Sequence, residues 1–207
     1  MISGLSMLLF KKFAPFSASI QPLPESMRRK MTGLSWNDYC PVSLDDLVLI
    51  KVRYRTNMGF SKMGKLIVNK SVADNTVEVF RELYEMKFPI KQIKPIDKFQ
   101  ADDPTSMRHN NTSAFRCSER EKASKDRRGT WSEHSKGEAI DLNPLVNPFV
   151  TSSGVQPVEG EKYADRTLNV KGMVTPEVVE IFERHGWKWG GNWRSSKDYQ
   201  HFSKGGR

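Results

Sequence analysis

The run Ser132-Glu133-His134-Ser135-Lys136-Gly137-Glu138-Ala139-Ile140-Asp141, answered far downstream by Asp198-Tyr199-Gln200-His201-Phe202, constrains this chain more than any other feature. Two histidines and one aspartate are the ligands zinc takes when three protein groups leave a fourth position open for water. For these groups to act together, the fold must bring His134, Asp141 and His201 to one point. Asp198 lies three residues before His201, close enough to reach such a water without occupying the ion. A metal with a base beside it implies hydrolysis. The pattern Ser-x-His-x-x-Gly-x-Ala-x-Asp requires several independent matches, whereas His134 alone would carry little weight. Gly137 has its own rationale, because a residue without a side chain lets the backbone turn or approach closely between two ligands. His109 and His185 read as ordinary histidines, and His185 falls in the last turn of an expected helix, where a cation suits the dipole.

The composition suits an enzyme of this kind. With 207 residues and 37% apolar content, the chain is long enough for one domain with a proper core and too short for a second full one. A net charge of +9 and a pI near 9.6 favour anionic partners, whether nucleic acid, a membrane surface or the acidic polymers of a bacterial wall. No run approaches the roughly 20 apolar residues of a spanning helix, which points to a soluble or peripheral protein. Met1 to Phe10 is mildly apolar, but Lys11 and Lys12 follow it rather than precede it. That is the wrong order for a signal peptide.

Residues 1–24 contain Pro15, Pro22 and Pro24 without sustained periodicity and read as a tail, with the folded domain over 25–207. Leu47 to Arg55 alternates, with Val48, Ile50, Val52 and Tyr54 on one side and Lys51, Arg53 and Arg55 on the other, which predicts a half-buried strand. Asn57-Met58-Gly59 turns the chain into a second strand over Lys65 to Asn69. Ala73, Val77, Phe80 and Tyr84 mark one face of a helix that ends before Pro89. In a later helix Thr175 caps, Pro176 takes the first position, Ile181 and Phe182 face inward and Gly186 closes. Ala139 to Leu142 is a short apolar strand stopped by Pro144, with Asp141 at its end. Strands and helices without regular βαβ alternation predict an α+β fold.

Between Arg116 and Arg128 lie six basic and three acidic residues, either a solvated loop or an electrostatic guide for an anionic substrate. Trp187, Trp189 and Trp193 pack a core edge or, with Gly190 and Gly191 between them, line one wall of a cleft. Cys40 and Cys117 cannot build a four-cysteine zinc site. They form one disulfide if the protein is exported and are otherwise small core residues.

At Ser132 to Asp141, Gly186 to Trp193 and Asp198 to Phe202 the chain resembles the VanY-type D-alanyl-D-alanine carboxypeptidases and the related L-alanyl-D-glutamate endopeptidases. The resemblance extends upstream through Ser35-Trp36, Cys40-Pro41-Val42, Asp45-Asp46-Leu47, Phe88-Pro89-Ile90 and Asn110 to Phe115, covering about residues 26 to 203. It implies a zinc peptidase that cuts peptidoglycan stem peptides, built as a compact Hedgehog/DD-peptidase-like α+β domain with a small antiparallel sheet and flanking helices. The chain is expected to be a monomer with no nucleic-acid partner. Carried over residue by residue, His134, Asp141 and His201 match the metal ligands and Asp198 the catalytic acid/base; Ser132 falls among the substrate-binding positions.

One departure stands out. Where the family has an arginine that holds a free substrate carboxylate, this chain has Ser118, in the run Arg116-Cys117-Ser118. Arg116 or Arg120 is the expected substitute, since a guanidinium fork can bind a carboxylate from a neighbouring position. Two other readings stand beside the carboxypeptidase, an endopeptidase and a non-catalytic wall-binding module of the same fold. The presence of Asp198 argues against the second, because a module without activity needs no base. No nucleic-acid motif accompanies the charge.

Overall fold

The alternating strand at Leu47–Arg55 is the centre of an antiparallel sheet ordered β1 (Ala18–Pro22), β2 (Leu47–Arg55), β3 (Ser61–Asn69). The computed structural model describes residues 14–123 and 130–206. Thr56 N donates to Phe60 O at 2.8 Å across the turn between β2 and β3, and Gly59 adopts a φ of 77° that glycine takes at little cost. In register, Ile50 lies opposite Leu66 and Val48 opposite Val68. Ile50, Val52 and Tyr54 enter the main core, while Leu47 and Leu49 enter a smaller cluster with Met31, Phe115 and Cys117. The first residues of β2 thus pack toward both clusters, and Val48, Lys51, Arg53 and Arg55 are the half-buried residues of the strand.

The expected tail over residues 1–24 is corrected in its last third. Ala18 to Pro22 pairs with β2, Leu23 is buried in the smaller cluster, and the Tyr84 hydroxyl donates to the Ala14 carbonyl. The prolines misled because β1 is an edge strand and Pro22 is its final residue, where a missing N–H costs no interior ladder bond. Residues 1–13 lie outside the described residues.

A short helix α1 (Glu25–Met31) leads into the sheet, and α2 (Ala73–Glu85) follows it. Phe80, Leu83 and Tyr84 of α2 are buried, and the helix ends at Met86 before Pro89, as the periodicity predicts. Two short strands, β4 (Gln92–Ile93) and β5 (Asn111–Thr112), pair in parallel, with α3 (Asp103–Arg108) between them in the chain; α4 (Glu119–Ala123) comes next. The remaining strands are β6 (Ala139–Asp141), β7 (Phe149–Thr151), β8 (Gly154–Gln156), β9 (Lys188–Trp189), β10 (Lys197–Asp198) and β11 (His201–Ser203). They form two small antiparallel sheets ordered β6-β11-β9 and β10-β7-β8.

Helix α5 (Pro176–Arg184) buries Val178, Ile181 and Phe182. Thr175 holds its N-cap position without bonding the helix backbone; the hydroxyl engages Glu177 instead and lowers that carboxyl. Gly186, at φ 76°, closes the helix as expected. Phe182 stacks on Phe202 of β11 at 3.7 Å between centroids, so α5 clamps the second sheet to the same core that holds Ile50 and Phe80. Mixed helices and small antiparallel sheets make the fold α+β, as expected.

A buried polar knot secures the loop after β6. Asn143 Nδ2 donates to Pro89 O at 2.9 Å, and Asn147 Oδ1 accepts from Val174 N at 2.7 Å and Arg166 Nη2 at 3.0 Å. Inside the smaller cluster, Cys40 and Cys117 are disulfide-bonded across a separation of 77 residues. Closing so long a loop restricts the unfolded chain, so reduction should lower unfolding free energy by about 2–4 kcal/mol. Denaturant titration with and without reductant checks this, and an unchanged midpoint would refute it.

Candidate metal centre

Three short elements build the centre. Ser132 Oγ accepts from His134 N at 3.2 Å, capping a single 3-10 turn over Glu133–Lys136 that presents His134. Gly137 ends that turn at φ 74°, and its carbonyl accepts from Asn69 N at 2.9 Å, tying the turn to the end of β3. A Cβ on Gly137 would come within 2.6 Å of that same nitrogen. Both reasons given for a glycine there, turning and close approach, therefore hold. The chain then runs straight into β6, whose last residue is Asp141, and β11 places His201 directly opposite it.

The three side chains meet. His134 Nε2 lies 3.1 Å from His201 Nδ1 and 3.1 Å from Asp141 Oδ2, and His201 Nδ1 lies 3.2 Å from Asp141 Oδ1. All three residues are buried. Zinc bonded to nitrogen and carboxylate oxygen at about 2.0–2.2 Å in a tetrahedron needs donors roughly 3.3–3.5 Å apart. The donor set and its spacing therefore fit such an ion. His134 Nδ1 lies 2.7 Å from the Ala114 carbonyl, a bond that fixes the ring and turns the other nitrogen inward. Burial, with the Arg116 charge, lowers the His134 pKa and keeps the imidazole neutral, as a ligand must be. For Asp141 burial pushes upward, but His134 and Arg116 outweigh it and hold the carboxyl well below its usual range.

Arg116 reaches the centre from behind. Its guanidinium touches Asp141 Oδ2 at 2.8 Å, Asp103 Oδ2 at 3.4 Å and Glu121 Oε1 at 3.5 Å. Burial opposes this charge, yet the three carboxylates raise its pKa further, so it stays protonated. Arg116, expected with Arg120 as a candidate for binding substrate, has Asp103 and Glu121 as partners that the sequence does not announce. Asp103 follows the helix-capping Asp102, whose Oδ2 accepts from Thr105 N at 3.0 Å, and local pattern offers no sign that one carboxyl caps while the next turns inward.

The centre forms the floor of an open cleft of about 440 Å³, lined also by Arg120, Ser132, Phe149, Trp193 and Asp198. Arg120 is exposed at the rim, and Ser132 lines the wall while its hydroxyl serves the cap. The tryptophans divide: Trp187 is core, Trp189 is partly buried against it, and Trp193 packs its ring 5.4 Å from that of His201. The basic run is described only to Ala123, and its remainder lies outside the described residues. His109 and His185 are ordinary, His109 against Phe99 and His185 on Glu82 at 2.6 Å.

Asp198 comes from β10, held opposite Phe149 of β7. Its Oδ1 is sealed from solvent with no hydrogen-bond partner among the described residues. Burial, opposed by His201 and reinforced by Asp141, raises its pKa from 3.8 to about 7. Gly190 passes beneath, where a Cβ would sit 3.0 Å from Asp198 Cβ and 3.2 Å from His201 Cβ.

Two histidines and an aspartate, buried at the floor of a cleft, could hold a metal ion, and a carboxyl of raised proton affinity stands beside them. Residues 125–204 match the family model described as D-alanyl-D-alanine carboxypeptidase, which supports the VanY-type peptidase family expected from the motifs. That segment includes His134, Asp141, Asp198 and His201 but neither Arg116 nor Arg120. No curated protein and no solved structure matches the chain significantly.

The raised Asp198 pKa has a consequence for stability. Without metal, the folded chain binds this proton more tightly than the unfolded chain, so the contribution is full below the usual carboxylate range and is lost as pH rises toward about 7. In metal-stripped protein, wild-type unfolding free energy should fall across that window relative to Asp198→Asn. Parallel pH profiles would disprove the assignment.

Proposed function

We propose that this protein is a zinc-dependent peptidase that cuts peptidoglycan stem peptides as a D-alanyl-D-alanine carboxypeptidase, acting as a monomer on a Hedgehog/DD-peptidase-like scaffold. The observation that carries the reading is the convergence of His134 Nε2, His201 Nδ1 and the Asp141 carboxylate at 3.1–3.2 Å beside Asp198. The family match over residues 125–204 supports the substrate class. In this reading His134, Asp141 and His201 hold zinc, which when bound supplies Lewis acidity to polarise the scissile carbonyl and acidify water.

Asp198 accepts the proton of the attacking water and returns it to the leaving amine. A carboxyl with its proton affinity raised by burial is suited to that exchange, because its two protonation states lie close in energy near neutral pH. Arg116 donates to Asp141 Oδ2, the same oxygen that faces His134 Nε2, and so orients the carboxylate. With Arg116 committed to three carboxylates, Arg120 at the rim becomes the cation that receives the substrate's terminal carboxylate. Trp193 and Phe149 shape the wall against which the peptide lies.

Metal analysis should find about one zinc per chain, lost in His134→Ala and His201→Ala. Asp198→Ala should retain the metal and slow hydrolysis of a stem peptide on the order of 10²- to 10⁴-fold. Full activity in chelated protein would end the zinc reading, and metal loss in Asp198→Ala would make that residue a ligand.

The two arginines should separate cleanly. Arg120→Ala should lose the preference for a free C-terminal acid over its amide by about 1.5–3 kcal/mol in kcat/KM. Arg116→Ala leaves buried carboxylates without their cation and should destabilise the fold by roughly 3–5 kcal/mol. If Arg116→Ala folds well and alone abolishes the preference, the roles are reversed. A wild-type enzyme that prefers the amide is an endopeptidase.

A further inference from the structure

A cleft of about 840 Å³ shares no lining residue with the metal centre. It runs between the β2–β3 hairpin and the segment 91–99. Lys62 and Lys65 contribute from β3, and Lys91, Lys94 and Lys98 from the facing segment. No aspartate or glutamate lines it. All five lysines are exposed, and none makes an ion pair among the described residues. Five unneutralised charges facing one groove repel one another, an arrangement that costs folding energy unless an anion relieves it.

The groove is built rather than incidental. Gly64 of β3 sits so close to β4 that a Cβ would meet Ile93 Cβ at 2.5 Å, which fixes the floor. Parallel pairing of Gln92 with Asn111, and the Asn111 Nδ2 bond to Lys94 O at 3.0 Å, hold the second wall. Met58, 77% exposed, and Met63, 50% exposed, give the hairpin side an apolar lip.

We propose that this groove binds a flexible, non-aromatic polymer carrying regularly spaced phosphate charges. The cations are all lysines, compact point charges that bind phosphate oxygens without demanding the fixed bidentate geometry of an arginine fork. Charges spread over two facing elements, with no deep polar pocket, suit a chain lying along the groove rather than one small anion. Nucleic acid is the poorer fit, because single strands bind on stacking platforms. Here the lining rings are Tyr54, which is buried, and Phe60 and Phe99, both partly buried, with Phe99 already packed on His109. A concave groove likewise fits a chain better than a flat lipid surface. The inference does not depend on the peptidase reading, and its test reads binding alone.

The experiment titrates the full chain with long-chain inorganic polyphosphate at several salt concentrations. Poly-glutamate, an oligo-dT strand and anionic phosphatidylglycerol vesicles serve as competing probes. Two triple variants are compared: Lys62→Gln/Lys94→Gln/Lys98→Gln in the groove and Lys162→Gln/Lys171→Gln/Lys188→Gln outside it, which remove the same charge. Thermal unfolding confirms that both fold. Wild type should bind polyphosphate in preference to the other probes, with affinity falling as salt rises. The groove variant should lose on the order of 10-fold or more in affinity and show a shallower salt dependence, since each phosphate contact contributes roughly 0.7 to the slope. The outside variant should bind nearly as wild type. Equal losses in both variants would mean that net charge, not the groove, does the binding. No binding of polyphosphate, or tighter binding of oligo-dT, poly-glutamate or vesicles, would equally overturn the proposal.

Discussion

Opposite Asp141 on the adjacent strand sits His201, and that cross-strand register organises the whole centre. A slip of one residue would turn every side chain of β11 to the other face, sending His201 into the core and Phe202 into the cleft. The stack of Phe202 on Phe182 prevents it, because the aromatic pair is satisfied in only one register. Core packing by α5 thus dictates where His201 points. Asp141 is further pinned by reciprocal backbone bonds with Ser113, at 2.9 and 3.1 Å, so the segment supplying Arg116 is laid against the same strand.

Charge balance gives a second, independent view. Around the Arg116 guanidinium stand the carboxyls of Asp103, Glu121 and Asp141, and Asp198 lies across the cleft. Burial pushes Asp103 and Asp198 toward their neutral forms, which lightens the negative excess without removing it. The His134 imidazole, its pKa lowered chiefly by burial, offers no compensation. The buried His134, Asp141 and His201 cluster within this surplus could hold a metal ion, whose charge would offset it.

The legible parts of this architecture were those with local causes. β2 and α2 follow from period-two and helical spacing, and the clustering of His134, Asp141 and His201 follows from a motif whose glycine and flanking turn residues have backbone roles. What sequence could not show depended on tertiary contact. Pro15, Pro22 and Pro24 argue for a tail until a neighbouring strand is present to accept β1. Arg116 looks free until α3 and α4 deliver Asp103 and Glu121. Thr175 has the right chemistry for a cap, yet its hydroxyl is taken by Glu177. The tryptophans divided for the same reason: identical residues a few positions apart met a core, its margin and a cleft.

Gly190 brings a different kind of constraint. Beneath Asp198 and His201 the backbone itself is the floor, with no side chain that could rotate aside or shrink. The depth of the centre is therefore set by main-chain contact, and any variation in side-chain length must be taken up toward the open mouth. A longer acid in place of Asp198 would reach into the space the substrate needs, so reach and room are traded along a single axis.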